Sequence, residues 1–133
     1  MYSVECCSFL NLSTTLVLTC DLFVCYSSNR FSLTKWIHLH NGDEGLKMFF
    51  KKIYRSLNPG GIFLMEPQAY NTYKKRSKLT KTIEAHYKVI KFMPDQFESY
   101  LLSSEVGFRE VQHLGQSQGK AQNFNRPIIL FRK

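Results

Sequence analysis

The feature that most limits how this chain can fold is the passage from residue 43 to residue 66. Leu46, Phe49, Phe50, Ile53, Tyr54 and Leu57 recur at helical spacing, with Lys47, Lys51, Lys52 and Arg55 on the other face. Asn41 or Asp43 is placed to cap that helix, and Glu44 stands three residues after Asn41 as in a capping box. Asn58-Pro59-Gly60-Gly61 then stops it, because proline cannot continue a helix and glycine accepts the turn. Ile62-Phe63-Leu64-Met65-Glu66 follows at once as a short apolar run, which predicts a buried strand. A helix that hands over to a buried strand is the second half of a β-α-β unit.

The segment "LVLTCDLFVCY" (16–26) supplies a candidate first strand. It is apolar but interrupted by Asp21, and too short to span a membrane. No basic residue precedes Arg30, so the start of the chain lacks the charged region of a signal peptide. The expected class is therefore α/β with a mostly parallel sheet. In such sheets ligands sit beyond the carboxyl ends of the strands. Leu33–Trp36 and Glu66–Tyr70 would both follow strand ends on that edge.

Further along, Leu79, Ile83, Tyr87 and Ile90 predict a second helix. A third starts near Pro94, with Phe97, Tyr100 and Leu101 turned inward. Residues 106–114 alternate as a strand, 115–123 form a polar loop, and 126–132 make a last strand with Pro127 at an edge or a strand start. The two closing strands predict an antiparallel hairpin that finishes a mostly parallel sheet.

Charge narrows the partners. The chain of 133 residues, enough for one domain, carries +8. Residues 1–30 hold Glu5, Asp21 and Arg30, a net of −1, which leaves +9 on residues 31–133. Two readings stand: a solvated lysine surface, or a face for an anionic partner such as nucleic acid. All four cysteines, Cys6, Cys7, Cys20 and Cys25, fall in the first 25 residues and match no zinc spacing. The body of the protein is thus free of a disulfide framework, which suits a reducing compartment, nucleus or cytoplasm, and no membrane.

Enzyme motifs are absent: there is no GxSxG, HExxH or P-loop. His38 and His40, read as part of an extended segment, would point the same way, but no carboxylate or cysteine stands at ligand spacing, so no metal is assigned. In "YNTYKKRSKLTK" (70–81), five cations interleave with Tyr70 and Tyr73. Cations hold phosphates and aromatic faces stack unpaired bases; a charged linker before an amphipathic helix reads the same way. Lys35-Trp36 is likewise either a core tryptophan beside a solvated lysine or part of a site.

The segments "SLTKWIHL…GDEGL", "LNPGGIFLMEPQ", "PDQF" and "FNRPIILFRK" resemble, in order and spacing, the methylphosphate capping enzymes, RNA methyltransferases of the bicoid-interacting-protein type. The resemblance covers roughly residues 31–133. It implies a partial Rossmann-like S-adenosylmethionine-dependent methyltransferase fold and methyl transfer to the 5′-terminal phosphate of a small RNA. It implies that Phe31, Ser32 and Leu33 lie beside the methyl donor. Lys35 and Trp36 would face the RNA end, Glu66, Pro67 and Gln68 would shape the acceptor pocket, and Arg126 would meet phosphate. Tyr70 stands where the family has tryptophan, and His40-Asn41 replaces an Asn-Trp pair. Residues 1–30 hold no glycine, so they lack the family's cofactor-cradling turn. The expectation is a divergent segment, 1–30, joined to the carboxyl-terminal half of the domain, 31–133, with an open sheet edge that favours self-association. A non-catalytic RNA-binding remnant is the alternative.

Overall fold

The computed structural model describes residues 20–25, 33–118 and 125–133. In chain order the elements are β1 (Cys20–Cys25), α1 (Leu33–Ser56), β2 (Leu57–Met65), α2 (Lys81–Val89), α3 (Phe97–Leu102), β3 (Glu110–Gln118) and β4 (Asn125–Arg132). Short 3-10 turns at Tyr70–Thr72 and Pro94–Gln96 precede α2 and α3.

The strands form one sheet in the order β1-β2-β4-β3. β1 runs parallel to β2, whereas β2–β4 and β3–β4 are antiparallel. The expected mostly parallel, Rossmann-like sheet is therefore corrected: among the described strands, antiparallel pairing dominates. The reason lies in β4. It does not remain on the outside of a terminal hairpin but inserts between β2 and β3. The free edge of β2 thus takes an antiparallel neighbour instead of another parallel strand, which would need a crossover returning to the sheet.

Helix α1 begins ten residues before the sequence pattern placed it, and it is broken at Gly42, whose φ of 71° and ψ of −171° are not helical. A glycine is needed there because this region is closed to side-chain-bearing residues. The second half of α1 buries Leu46, Phe49, Phe50 and Ile53 as the stripe required. They pack on Phe63 of β2, Phe131 of β4, and Phe92, Phe97, Leu101 and Phe108. Phe63 stacks on both Phe108 and Phe131, at 6.0 and 5.9 Å between ring centroids, and those two rings lie 5.7 Å from each other.

At the far end of α1 the chain turns through residues 58–61. Gly60 takes a φ of 80°, and a Cβ on Gly61 would lie 2.8 Å from the Asn58 carbonyl oxygen. Both glycines are spent on this turn. Strand β3 starts later than the alternation of 106–114 suggested and takes in part of the expected polar loop. Val106 and Phe108 are buried before it begins. Leu79, assigned to the second helix, is exposed and precedes the α2 cap, where the Thr80 hydroxyl oxygen accepts from the Ile83 N–H at 3.1 Å.

Candidate functional site

Met65, the last residue of β2, pairs with Cys25 of β1 and with Ile129 of β4. The carboxyl ends of β1 and β2 and the start of β4 therefore lie at one end of the sheet. The chain leaves β2 there through Glu66-Pro67-Gln68. It enters β4 there, where Arg126 pairs in register with Ser117, three residues before Ile129. Phe31 and Ser32 lie outside the described residues; Leu33 opens α1.

Side chains bring the start of α1 against the segment that follows β2. Trp36, Tyr70, Tyr87 and Met93 all pack against one small buried cluster, Leu39, Tyr73, Ile83 and Ile90. Trp36 is half-buried, with its ring 5.6 Å from that of the exposed His40. Tyr70 is half-buried and lies flat on Tyr87, at 5.4 Å and an interplanar angle of 11°. Lys35, Glu66 and Gln68 are buried, at 7%, 7% and 4% exposure. Lys35 is thus an interior side chain and not a solvated one. The Thr72 hydroxyl donates to the Ala69 carbonyl at 2.7 Å and lies 3.5 Å from Gln68 Oε1, which closes the turn after the strand.

The basic segment winds into consecutive turns around two anchors. Tyr73 and Ser77 are buried, and the Ser77 N–H donates to the Tyr73 carbonyl at 3.0 Å. Lys74, Lys75, Arg76, Lys78 and Lys81 are left exposed. Tyr73, expected to offer a face to a base, is instead 1% exposed and serves the fold. Anchors four residues apart inside a charged run were the sequence signal for this arrangement.

Sequence reasoning missed the polar centre behind the site. His38 and His40 lie on helix, not on an extended segment, so they point apart: His38 is fully buried and His40 exposed. Asp43, expected as a cap, turns both oxygens elsewhere. Oδ1 lies 2.6 Å from His38 Nε2, across the break at Gly42. Oδ2 accepts the Lys91 and Phe92 N–H groups at 2.8 and 3.1 Å. His38 Nδ1 lies 3.2 Å from the Tyr73 hydroxyl.

Burial pulls His38 below the usual histidine range, against the opposing pull of Asp43. Partial burial pushes Asp43 up, but hydrogen bonds from His38, Lys91 and Phe92 outweigh it and hold the carboxyl below its ordinary range. Burial also raises Tyr73, so it keeps its proton. The consistent assignment is neutral His38, donating through Nε2–H to Asp43 and accepting from the Tyr73 hydroxyl at Nδ1. A second histidine serves the same break: His86 Nδ1 lies 2.9 Å from the Leu39 carbonyl oxygen and so carries the proton it donates.

The S-adenosylmethionine that the resemblance implies finds no cradle among the described residues. Their positive-φ glycines are Gly42, Gly60, Gly107 and Gly115, and none stands between a strand and the helix it feeds. No group of three or more His, Cys, Asp or Glu among the described residues could hold a metal ion. No described helix is long and apolar enough to cross a membrane.

The family described as Bicoid-interacting protein 3 (Bin3) matches residues 7–133. The chain is 50% identical over 103 residues to the 7SK snRNA methylphosphate capping enzyme of Mus musculus, covering 77% of this chain and 16% of that protein. It is 45% identical over 113 residues to the U6 snRNA methylphosphate capping enzyme Amus of Drosophila melanogaster, covering 85% and 36%. A probable RNA methyltransferase of Arabidopsis thaliana is 44% identical over 103 residues, covering 77% and 32%. The chain thus spans 16% to 36% of the length of these curated relatives.

Proposed function

Since the chain belongs to the Bin3 family, we propose that it forms the RNA-end side of a methyltransferase acting on the 5′-terminal phosphate of a small RNA, with S-adenosylmethionine as donor. The observation that carries this reading is the packing of Trp36 and Tyr70 against one cluster, at the end of the sheet where Glu66, Gln68 and Arg126 stand. Two relatives at 45–50% identity are named as methylphosphate capping enzymes for snRNAs, which supports the substrate class.

Each residue then has a task. Lys35, buried beside the site, attracts a terminal phosphate in surroundings where charge is weakly screened. Arg126 adds a second cation from the start of β4. Trp36 and Tyr70 offer aromatic surface to the first nucleotide. Glu66 and Gln68 bound the pocket, and Phe31, Ser32 and Leu33 are assigned to the donor side. The exposed cations of 74–81 track the following phosphates. A phosphate oxygen is anionic near neutral pH, so a site of this kind works by alignment and charge and needs no strong general base. That accounts for an apparent enzyme without a triad.

The second reading is a non-catalytic RNA-binding remnant. It is favoured by one observation: the described residues keep a basic face but form no glycine turn for the donor. Incubating the chain with labelled S-adenosylmethionine and a 5′-phosphorylated RNA, with binding measured beside it, separates the two. Label on the RNA supports the enzyme; binding without label supports the remnant; neither overturns both.

A further inference from the structure

We propose that Tyr73 and His38 are positioning residues that hold the RNA-end site in a single shape; the inference rests on the reading of that site as an RNA-end site. Lys35 and Trp36 lie on the first turns of α1, and Tyr70 lies on the turn after β2. A hydrogen bond joins the two segments one turn behind these side chains. His38 follows Lys35 by three residues on the helix. Tyr73 follows Tyr70 by three, with its N–H donating to the Tyr70 carbonyl at 3.0 Å. The Tyr73 hydroxyl then meets His38 Nδ1 at 3.2 Å. Whatever fixes His38 against Tyr73 fixes Lys35 against Tyr70.

The chain of bonds continues to Asp43 and from there to the Lys91 and Phe92 amides. The start of α1, the turn at 70–73 and the segment at 91–92 are thereby locked to one another. An apolar side chain would fill the space of His38 well, since its ring is surrounded by those of Tyr73, Phe92 and Phe97 at 5.5, 6.2 and 5.8 Å. Apolar contacts tolerate small slips; a directional bond does not. A buried polar chain in that place serves arrangement more than stability.

The test uses the full chain, a short single-stranded RNA carrying a 5′-monophosphate, and the same RNA with a 5′-hydroxyl. Tyr73→Phe removes one oxygen and no packing. It is expected to keep the melting temperature within a few degrees, yet lose roughly three- to tenfold of the preference for the phosphorylated end. Trp36 is the only tryptophan, so its emission and quenching report the local geometry and are expected to change too. His38→Leu should behave like Tyr73→Phe. His38→Gln, which can donate to Asp43 and accept from Tyr73, should restore the preference. An unchanged preference and an unchanged Trp36 signal in Tyr73→Phe would overturn the proposal while leaving the RNA-end reading intact. If the unaltered chain itself ignores the 5′-phosphate, that reading falls and takes this inference with it.

Discussion

The ammonium of Lys133 lies 2.7 Å from the Leu57 carbonyl oxygen and 2.8 Å from that of Tyr54, and 4.5 Å from the centroid of the Tyr54 ring. The last carbonyls of a helix have no partner within it and carry partial negative charge. Lys133, at the end of β4, satisfies one at the close of α1 and a second just beyond. Its backbone completes the junction: Gly60 N–H donates to the Lys133 carbonyl at 3.1 Å, and Lys133 N–H to that of Gly61 at 2.9 Å.

Lys133→Met keeps the aliphatic stem on Tyr54 and removes the charge. It is expected to cost about 1–3 kcal/mol, read as a lower urea midpoint at an unchanged slope. A midpoint equal to that of the unaltered chain would show that water serves these carbonyls equally well.

Gly42 has room for a side chain, since the nearest atom to an added Cβ is His86 Cδ2 at 3.9 Å. The cost of substitution is therefore conformational. With φ at 71° and ψ at −171°, the residue sits outside the left-handed helical well that asparagine tolerates. Gly42→Ala and Gly42→Asn are both expected to cost about 1–3 kcal/mol. Recovery of stability in the asparagine variant, followed by thermal melting, would contradict this account of the break.

Acid should weaken the fold in two stages. Burial holds His38 below its ordinary 6.5, so the unfolded chain takes up that proton more readily. Its stabilising share is complete above about pH 6.5 and is lost as pH falls through the lower, folded value. Asp43, despite partial burial, is held below its ordinary 3.8 by the hydrogen bonds from His38, Lys91 and Phe92, so its share is lost only in stronger acid. Melting temperatures measured from pH 7 to pH 5 should fall, and should fall less in His38→Gln. Equal slopes in the two proteins would remove His38 from the explanation.

The exposed turn after Tyr73 predicts a salt effect. If Lys74, Lys75 and Lys78 each neutralise one RNA phosphate, replacing all three by alanine should flatten the plot of log affinity against log salt by about 2. An unchanged slope in a binding titration would return these lysines to the role of a solvated surface.

The helix from 43 to its end at Ser56 and the strand after it were legible because periodicity, a proline and a glycine pair all point to a helix that turns into a strand there. The helical stretch 33–41 was not. Trp36, His38 and His40 alternate with Ile37 and Leu39 as in a strand, and the fold secures the helix with bonds from Tyr73 and His86 that are distant in sequence. Trp36 and Tyr70 could be assigned to one edge from the order of elements, but the buried polar chain behind them could not. His38 and Asp43 are five apart, a spacing that brings side chains together only because the helix breaks between them. The place of β4 was hidden for a related reason: pairing between distant strands leaves no mark in local alternation, so a hairpin was readable and its insertion was not.

That insertion governs the order of assembly. During synthesis β3 emerges with no sheet to join, since its neighbour β4 is made afterwards and the other edge of β4 must reach β2. The nascent polypeptide can gather α1 onto β2 early, but the aromatic layer of Phe63, Phe108 and Phe131 closes only when Phe131 has left the ribosome. Until then Phe63 and Phe108 have only each other, and the edge of β2 that takes β4 stays open.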